Sequence, residues 1–171
     1  MKVLRVAFTL VLGGLFLYLI LTPTEKQILD NIEGGAPDFS MTAFDRKRLQ
    51  LSDYRGKVVM INFWATWCGP CQQEIPSLIA IQEKYKQEGV EVLGISVDSA
   101  DRVADVEAFI SRYEINYRVA LDNGQVFTTY QGSAIPLTIF VDRQGRMRAR
   151  YEGLITKQEA ERELVKLLVN K

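Results

Sequence analysis

Residues 57–64 read Lys-Val-Val-Met-Ile-Asn-Phe-Trp, a nearly unbroken apolar run. A strand with one wet face alternates apolar and polar side chains, whereas a run like this needs cover on both faces. The chain is therefore expected to hold this strand inside a sheet, with helices packed above and below. Cys68-Gly69-Pro70-Cys71 follows almost at once. Beyond it, Ile75, Leu78, Ile79 and Ile81 are spaced as one face of a helix. The pattern predicts a helix from Cys68 to about residue 88, closed by Gly89, with Pro76 inside it as a kink.

The remaining elements follow the same logic. Residues 38–44 and 48–51 are predicted as a short strand pair, and residues 90–97 as a second buried strand. A helix is expected over 101–113, where Val103, Val106, Phe109, Ile110 and Tyr113 share a face. Then come a short strand at 117–121, a short helix at 125–130, and a strand at 137–141 opened by Pro136. Asp142-Arg143-Gln144-Gly145 reads as a turn into a hairpin partner at 146–151. A last helix from about Lys157 should bury Ala160, Leu164, Leu167 and Leu168. Strands alternating with helices and ending in a hairpin predict an α/β fold on a mixed central sheet flanked by helices.

Two features of composition narrow the chemistry. The chain has no histidine, which removes His-based acid–base catalysis and His metal ligation. It has two cysteines, three apart, too few for a closed structural zinc site. Gln72 after the second cysteine also rules out the Cys-x-x-Cys-His pattern of covalent haem attachment. No metal or cofactor is expected; the redox group would be a Cys68–Cys71 disulfide. With 21 basic and 21 acidic side chains, nothing in the charge balance suggests a nucleic-acid partner.

The amino terminus suggests where such a domain works. Residues 3–21 are almost wholly apolar, with Arg5 the one charge among them. As a helix they would rise roughly 28 Å, close to the thickness of a bilayer core. Lys2 and Arg5 lie ahead of the densest apolar part, which favours that end inside. The run ends Leu-Ile-Leu-Thr-Pro-Thr, a poor match to a small-residue cleavage site. Residues 1–22 are read as a membrane anchor or signal sequence, 23–34 as a linker, and 35–171 as the folded domain. Either reading of the first segment puts the domain outside the cytoplasm, and the anchor reading makes it a single-pass protein of the cell membrane.

The predicted strand-to-helix junction makes the dithiol reactive. A thiol at a helix amino terminus meets unpaired backbone N–H groups and the positive end of the helix dipole, which favour thiolate. Cys71 lies one turn further on, placed to attack a mixed disulfide formed at Cys68. Pro70 has no N–H to lose in the first turn. A purely structural disulfide is the alternative, but so small a loop would constrain the unfolded chain little.

Phe63-Trp64-Ala65-Thr66-Trp67-Cys68-Gly69-Pro70-Cys71 closely resembles the thioredoxin superfamily, and Ile135-Pro136-Leu137-Thr138 resembles that fold's cis-proline loop. With an amino-terminal β extension (residues 36–51), a central insertion (residues 101–121) and the anchor, the chain is similar to the membrane-tethered ResA/TlpA-type thiol–disulfide oxidoreductases. The resemblance implies a thioredoxin-like fold and a reductant of disulfides in client proteins, among them apocytochrome c during cytochrome c-type biogenesis. It also implies a membrane thiol carrier as electron donor. By the same resemblance Cys68 attacks and Cys71 resolves, while Pro136, with Ile135, shapes the groove that holds the client. Trp67, Gly69 and Pro70 would line the same docking surface, and Trp64 would belong to the core. ResA-type members commonly carry Cys-Glu-Pro-Cys, where this chain has Gly69. Thioredoxins usually have a buried aspartate where this chain has Asn62, and Glu74 matches an acid of the ResA-type branch. Glu74 either accepts a proton beside Cys71 or is a solvated helix residue.

Two other functions are weighed against this one. Ala36-Pro37-Asp38-Phe39 and Gly94-Ile95-Ser96-Val97-Asp98 also resemble peroxiredoxins, but those place a threonine where this chain has Ala65. A non-catalytic tethered binding module is the third reading, and an intact Cys-Gly-Pro-Cys argues against it.

Overall fold

The computed structural model describes residues 35–169. The expected anchor and linker at 1–34 lie outside the described residues. Within those residues, no helix is long and apolar enough to cross a membrane.

All seven residues of the strand at Val58–Trp64 (β3) are buried, as the apolar run requires. β3 pairs in parallel with Val90–Ser96 (β4) and antiparallel with Leu137–Val141 (β6). Arg118–Leu121 (β5) extends the sheet beyond β4, and Met147–Glu152 (β7) extends it beyond β6. The order β5-β4-β3-β6-β7 makes a five-stranded mixed sheet with β3 at its centre. The fold is thioredoxin-like.

The amino-terminal extension is a small antiparallel pair, Ser40–Thr42 (β1) with Arg48–Gln50 (β2). It is shorter than the sequence suggests and docks on the sheet's edge. Ala43 bridges Ala120 of β5, and the Phe44 N–H donates to the Val119 carbonyl at 2.9 Å. The edge strand of the insertion is thus covered rather than left open.

Gly69–Tyr85 forms the first helix (α1), which runs on through Pro76 into a short 3₁₀ turn at Lys86–Glu88. Gly89 ends it at φ 86°, a conformation that glycine adopts without steric penalty. Ile75, Leu78 and Ile81 are buried against β3 and β4. Each such side chain contributes roughly 1.5–3 kcal/mol on leaving water.

The insertion helix is Val103–Arg112 (α2), preceded by a 3₁₀ turn at Ala100–Arg102. Val106 and Phe109 are buried, and Ile110 and Tyr113 pack against the core. Val103 departs from the predicted face and is 40% exposed. It stands in the first turn, on the wall of a shallow groove with Arg46 and Glu107, before the helix has reached the sheet. Gln125–Thr129 (α3) and Lys157–Val169 (α4) complete the fold. In α4, Ala160 and Leu164 are buried while Leu167 and Leu168 are half-buried at the margin.

Candidate active site

Cys68 ends the loop that leaves β3 and caps α1. Its backbone is extended (φ −86°, ψ 105°), and its Sγ accepts the Cys71 N–H at 3.2 Å. The first turn of α1 carries no acidic residue, so the helix dipole at Cys68 is not opposed from within the helix. Cys68 and Cys71 are joined as a disulfide with Cα atoms 5.2 Å apart. Both sulfur-bearing residues are nearly buried, but the surface just beside them is open: Gly69 and Pro70 are exposed, and Trp67 is 61% exposed. Trp64 is fully buried, so the two tryptophans separate as the sequence suggests.

The Ile135–Pro136 bond is cis, and the Ile135 carbonyl lies 3.9 Å from Cys68 Sγ. The loop opening β6 therefore sits directly against the outer cysteine. The Gly153 N–H donates to the Pro136 carbonyl at 2.8 Å, which ties the turn after β7 to the same place. Leu154, 44% exposed, follows in that turn.

One helical turn on from Cys71 is a polar triangle. Glu74, three residues on from Cys71 in α1, is 2% exposed. Its Oε1 accepts from Asn62 Nδ2 at 3.2 Å and from Thr138 Oγ1 at 3.1 Å, and Asn62 Nδ2 also lies 3.1 Å from Thr138 Oγ1. Among the described residues, Oε2 has no hydrogen bond of regular geometry. Burial pushes the Glu74 carboxyl up to about 7, against weaker opposing pulls from the Thr138 hydroxyl and the Ile155 backbone N–H. A solvated surface glutamate, one of the two readings from sequence, is thereby excluded. Sequence singles out Asn62 and Glu74 separately; the packing of α1 on the sheet brings them together, and the register that sets Asn62 opposite Thr138 completes the triangle.

Asp98 is a second buried carboxylate near the site, two residues past the end of β4. It accepts from the Thr66 N–H at 2.8 Å, from Thr66 Oγ1 at 2.6 Å and from Ser96 Oγ at 2.8 Å. Among the described residues, no group of three or more His, Cys, Asp or Glu side chains is arranged to hold a metal ion.

Residues 32–150 match the AhpC/TSA family. The chain belongs to that family. It is 36% identical over 165 residues to the thiol-disulfide oxidoreductase ResA of Geobacillus kaustophilus, covering 95% of this chain and 93% of the relative. It is 35% identical over 133 residues to ResA of Bacillus thuringiensis subsp. konkukian, covering 77% and 76% respectively. A crystal structure of a thiol:disulfide interchange protein of the thioredoxin family from Chlorobium tepidum superposes with a TM-score of 0.72 at 26% identity, covering 78% of this chain and 95% of that one. With ResA-type relatives along its length and a closed Cys68–Cys71 disulfide, the chain is an enzyme of the thiol–disulfide oxidoreductase class.

Proposed function

We propose that this enzyme works as a reductant of disulfides in client proteins outside the cytoplasm. The observation that carries the reading is the position of Cys68, at the start of α1 and 3.9 Å from the carbonyl that precedes cis-Pro136. A client backbone lying along that loop would bring its own disulfide to Cys68, beside Trp67, Gly69 and Pro70.

The reaction balances with two thiols on the enzyme. Cys68 thiolate attacks one sulfur of the client disulfide, and the client's other sulfur leaves as thiolate and takes a proton. Cys71 then gives its proton to Glu74 and attacks Cys68 Sγ. The second client sulfur leaves, and Glu74 returns the proton to it. The client gains two electrons and two protons, and the enzyme is left as the disulfide in the structure. Glu74 suits the shuttle because burial holds its pKa near neutrality, where it can both take and give a proton. A membrane thiol carrier would reopen the disulfide, and residues 1–22 would tether the domain beside it. Apocytochrome c is the client we favour, on the likeness to ResA.

Trapping tests both the chemistry and the client. Full-length Cys71→Ser in native membranes should accumulate mixed disulfides through Cys68, and mass spectrometry of the trapped species should find apocytochrome c. No mixed disulfide, or an equal yield from Cys68→Ser, would overturn the assigned roles; a catch without apocytochrome c would overturn only the client.

A thiol peroxidase is the second reading, because the AhpC/TSA description does not by itself separate peroxide reduction from disulfide exchange. Ala65, three residues before Cys68, offers no hydroxyl to orient a peroxide. Rapid oxidation of Cys68 by stoichiometric peroxide, with turnover, would favour it.

A further inference from the structure

Trp67 is a large apolar side chain standing mostly in water on a four-residue loop, and its indole makes no hydrogen bond among the described residues. Something else must fix its position. The residue before it, Thr66, has every polar group engaged. Its N–H and its hydroxyl both donate to Asp98, at 2.8 and 2.6 Å. Its carbonyl accepts from Gln72 Nε2 at 2.8 Å, and Gln72 in turn lies 3.4 Å from the Tyr113 hydroxyl. The loop is thus gripped from β4 through Asp98 and from α1 and the insertion through Gln72 and Tyr113.

Asp98 is an expensive way to hold a loop. It is 2% exposed, and the nearest cation, Arg102, stands 3.9 Å away with its side chain 39% exposed. A buried carboxylate persists only when hydrogen bonds replace its lost hydration. Here Thr66 supplies two and the Ser96 hydroxyl a third. None of the donors belongs to either cysteine, so the grip falls on the loop and not on the sulfurs. Cys68 has separate supports: the Cys71 N–H on its Sγ and its own N–H on the Ala65 carbonyl at 3.2 Å.

We propose that Asp98, acting through Thr66, is a positioning residue that presents Trp67 to protein clients and so sets client affinity without setting thiol reactivity. A loop residue held by a rigid second layer pays less entropy on binding. The proposal rests on the disulfide-exchange reading and on Trp67 as part of the docking surface.

The test compares two disulfide probes on the full chain purified in detergent: insulin, which has a protein surface to dock, and 5,5′-dithiobis(2-nitrobenzoate), which has almost none. Asp98→Ala removes both acceptor oxygens, so the Thr66 N–H and hydroxyl lose their partner and the clamp is lost. It should raise KM for insulin about tenfold with kcat little changed, and leave the small-probe rate within about twofold. Thr66→Val should do the same, and Thr66→Ser should restore the wild-type KM. Trp67→Ala should raise KM similarly, and Asp98→Ala added to it should change little more, because the clamp acts through that indole. Equal losses on both probes, or additive losses in the double variant, would overturn the proposal. So would an unchanged insulin KM in folded Thr66→Val. A wild-type chain that reduces neither probe would overturn the underlying disulfide-exchange reading, a result distinct from all of these.

Discussion

The side-chain amide of Asn62 donates to Glu74 Oε1 at 3.2 Å, joining the middle of the central strand to the helix that carries the cysteines. The resemblance to thioredoxins sets Asn62 where those proteins usually carry a buried acid, and Glu74 brings a carboxyl group to its amide from α1. The helix thus supplies the carboxyl group and the strand a donor to it. Thr138, two residues beyond cis-Pro136, completes the triangle. The hydrogen-bonded triangle around Glu74 is therefore built from all three elements that frame the disulfide.

Holding Glu74 there has a stability consequence with a definite sign. Its folded-state pKa of about 7 lies above the ordinary 4.5, because burial disfavours the charged form. The folded chain then binds more protons than the unfolded chain between those values. The contribution of Glu74 to stability is fully present below pH 4.5 and lost as pH rises through 7. The loss amounts to about 3 kcal/mol, an order-of-magnitude figure from the size of the shift. Urea melts of oxidised wild type and Glu74→Gln should therefore diverge with pH, the variant gaining relative stability toward pH 8. Parallel curves across that range would show that Glu74 titrates normally.

In the proposed mechanism the same group governs the resolving step. Below pH 7 Glu74 keeps its own proton and cannot accept the one from Cys71, so decay of the Cys68 mixed disulfide should slow as pH falls. In Glu74→Gln that step should be slower by roughly 10²-fold at pH 7 and should follow thiol ionisation alone. Stopped-flow decay of a mixed disulfide with a small thiol measures it; an unchanged pH profile would remove Glu74 from the mechanism.

Local pattern was enough for much of this architecture. The run at 57–64 requires a doubly covered strand, and the cysteines locate its continuation into α1. The Thr66–Asp98 clamp was not readable, since its members are 32 positions apart and meet only through the parallel pairing of β3 with β4. Glu74 was ambiguous for a related reason. Helical spacing places it near Cys71, but only the approach of Thr138 and Asn62 shows that water is excluded. Val103 shows the opposite failure, an apolar residue in phase with a buried face but too close to the helix start to reach it.

Gly94 has a packing role that sequence reading leaves unmarked. A Cβ there would lie 3.0 Å from Tyr117 Cε2, 3.1 Å from Trp64 Nε1 and 3.2 Å from Val119 Cγ2. All three are tighter than ordinary contact, and the two rings are buried. Gly94→Ala should destabilise by about 1–3 kcal/mol through overpacking and should alter the near-UV circular dichroism of Trp64. Wild-type melting with an unchanged spectrum would mean the rings yield freely.

Tyr117 presents the converse case, an atom whose removal should help. Its ring packs at Gly94, but its hydroxyl is buried without a hydrogen-bond partner among the described residues, and burial holds its proton on well above the usual tyrosine range. The Glu74 charge reinforces that, so the phenol stays neutral at every pH at which the enzyme is studied. A buried hydroxyl left unpaired costs roughly 1–3 kcal/mol, while the ring's apolar burial does not depend on it. Tyr117→Phe keeps the ring and should stabilise the oxidised protein by about 1 kcal/mol in urea melts. Because the phenol carries no charge to remove, the pH profile of the resolving step should stay where Glu74 sets it. A loss of 1 kcal/mol or more would instead reveal a partner for the hydroxyl, and a shifted profile would identify that partner as Glu74.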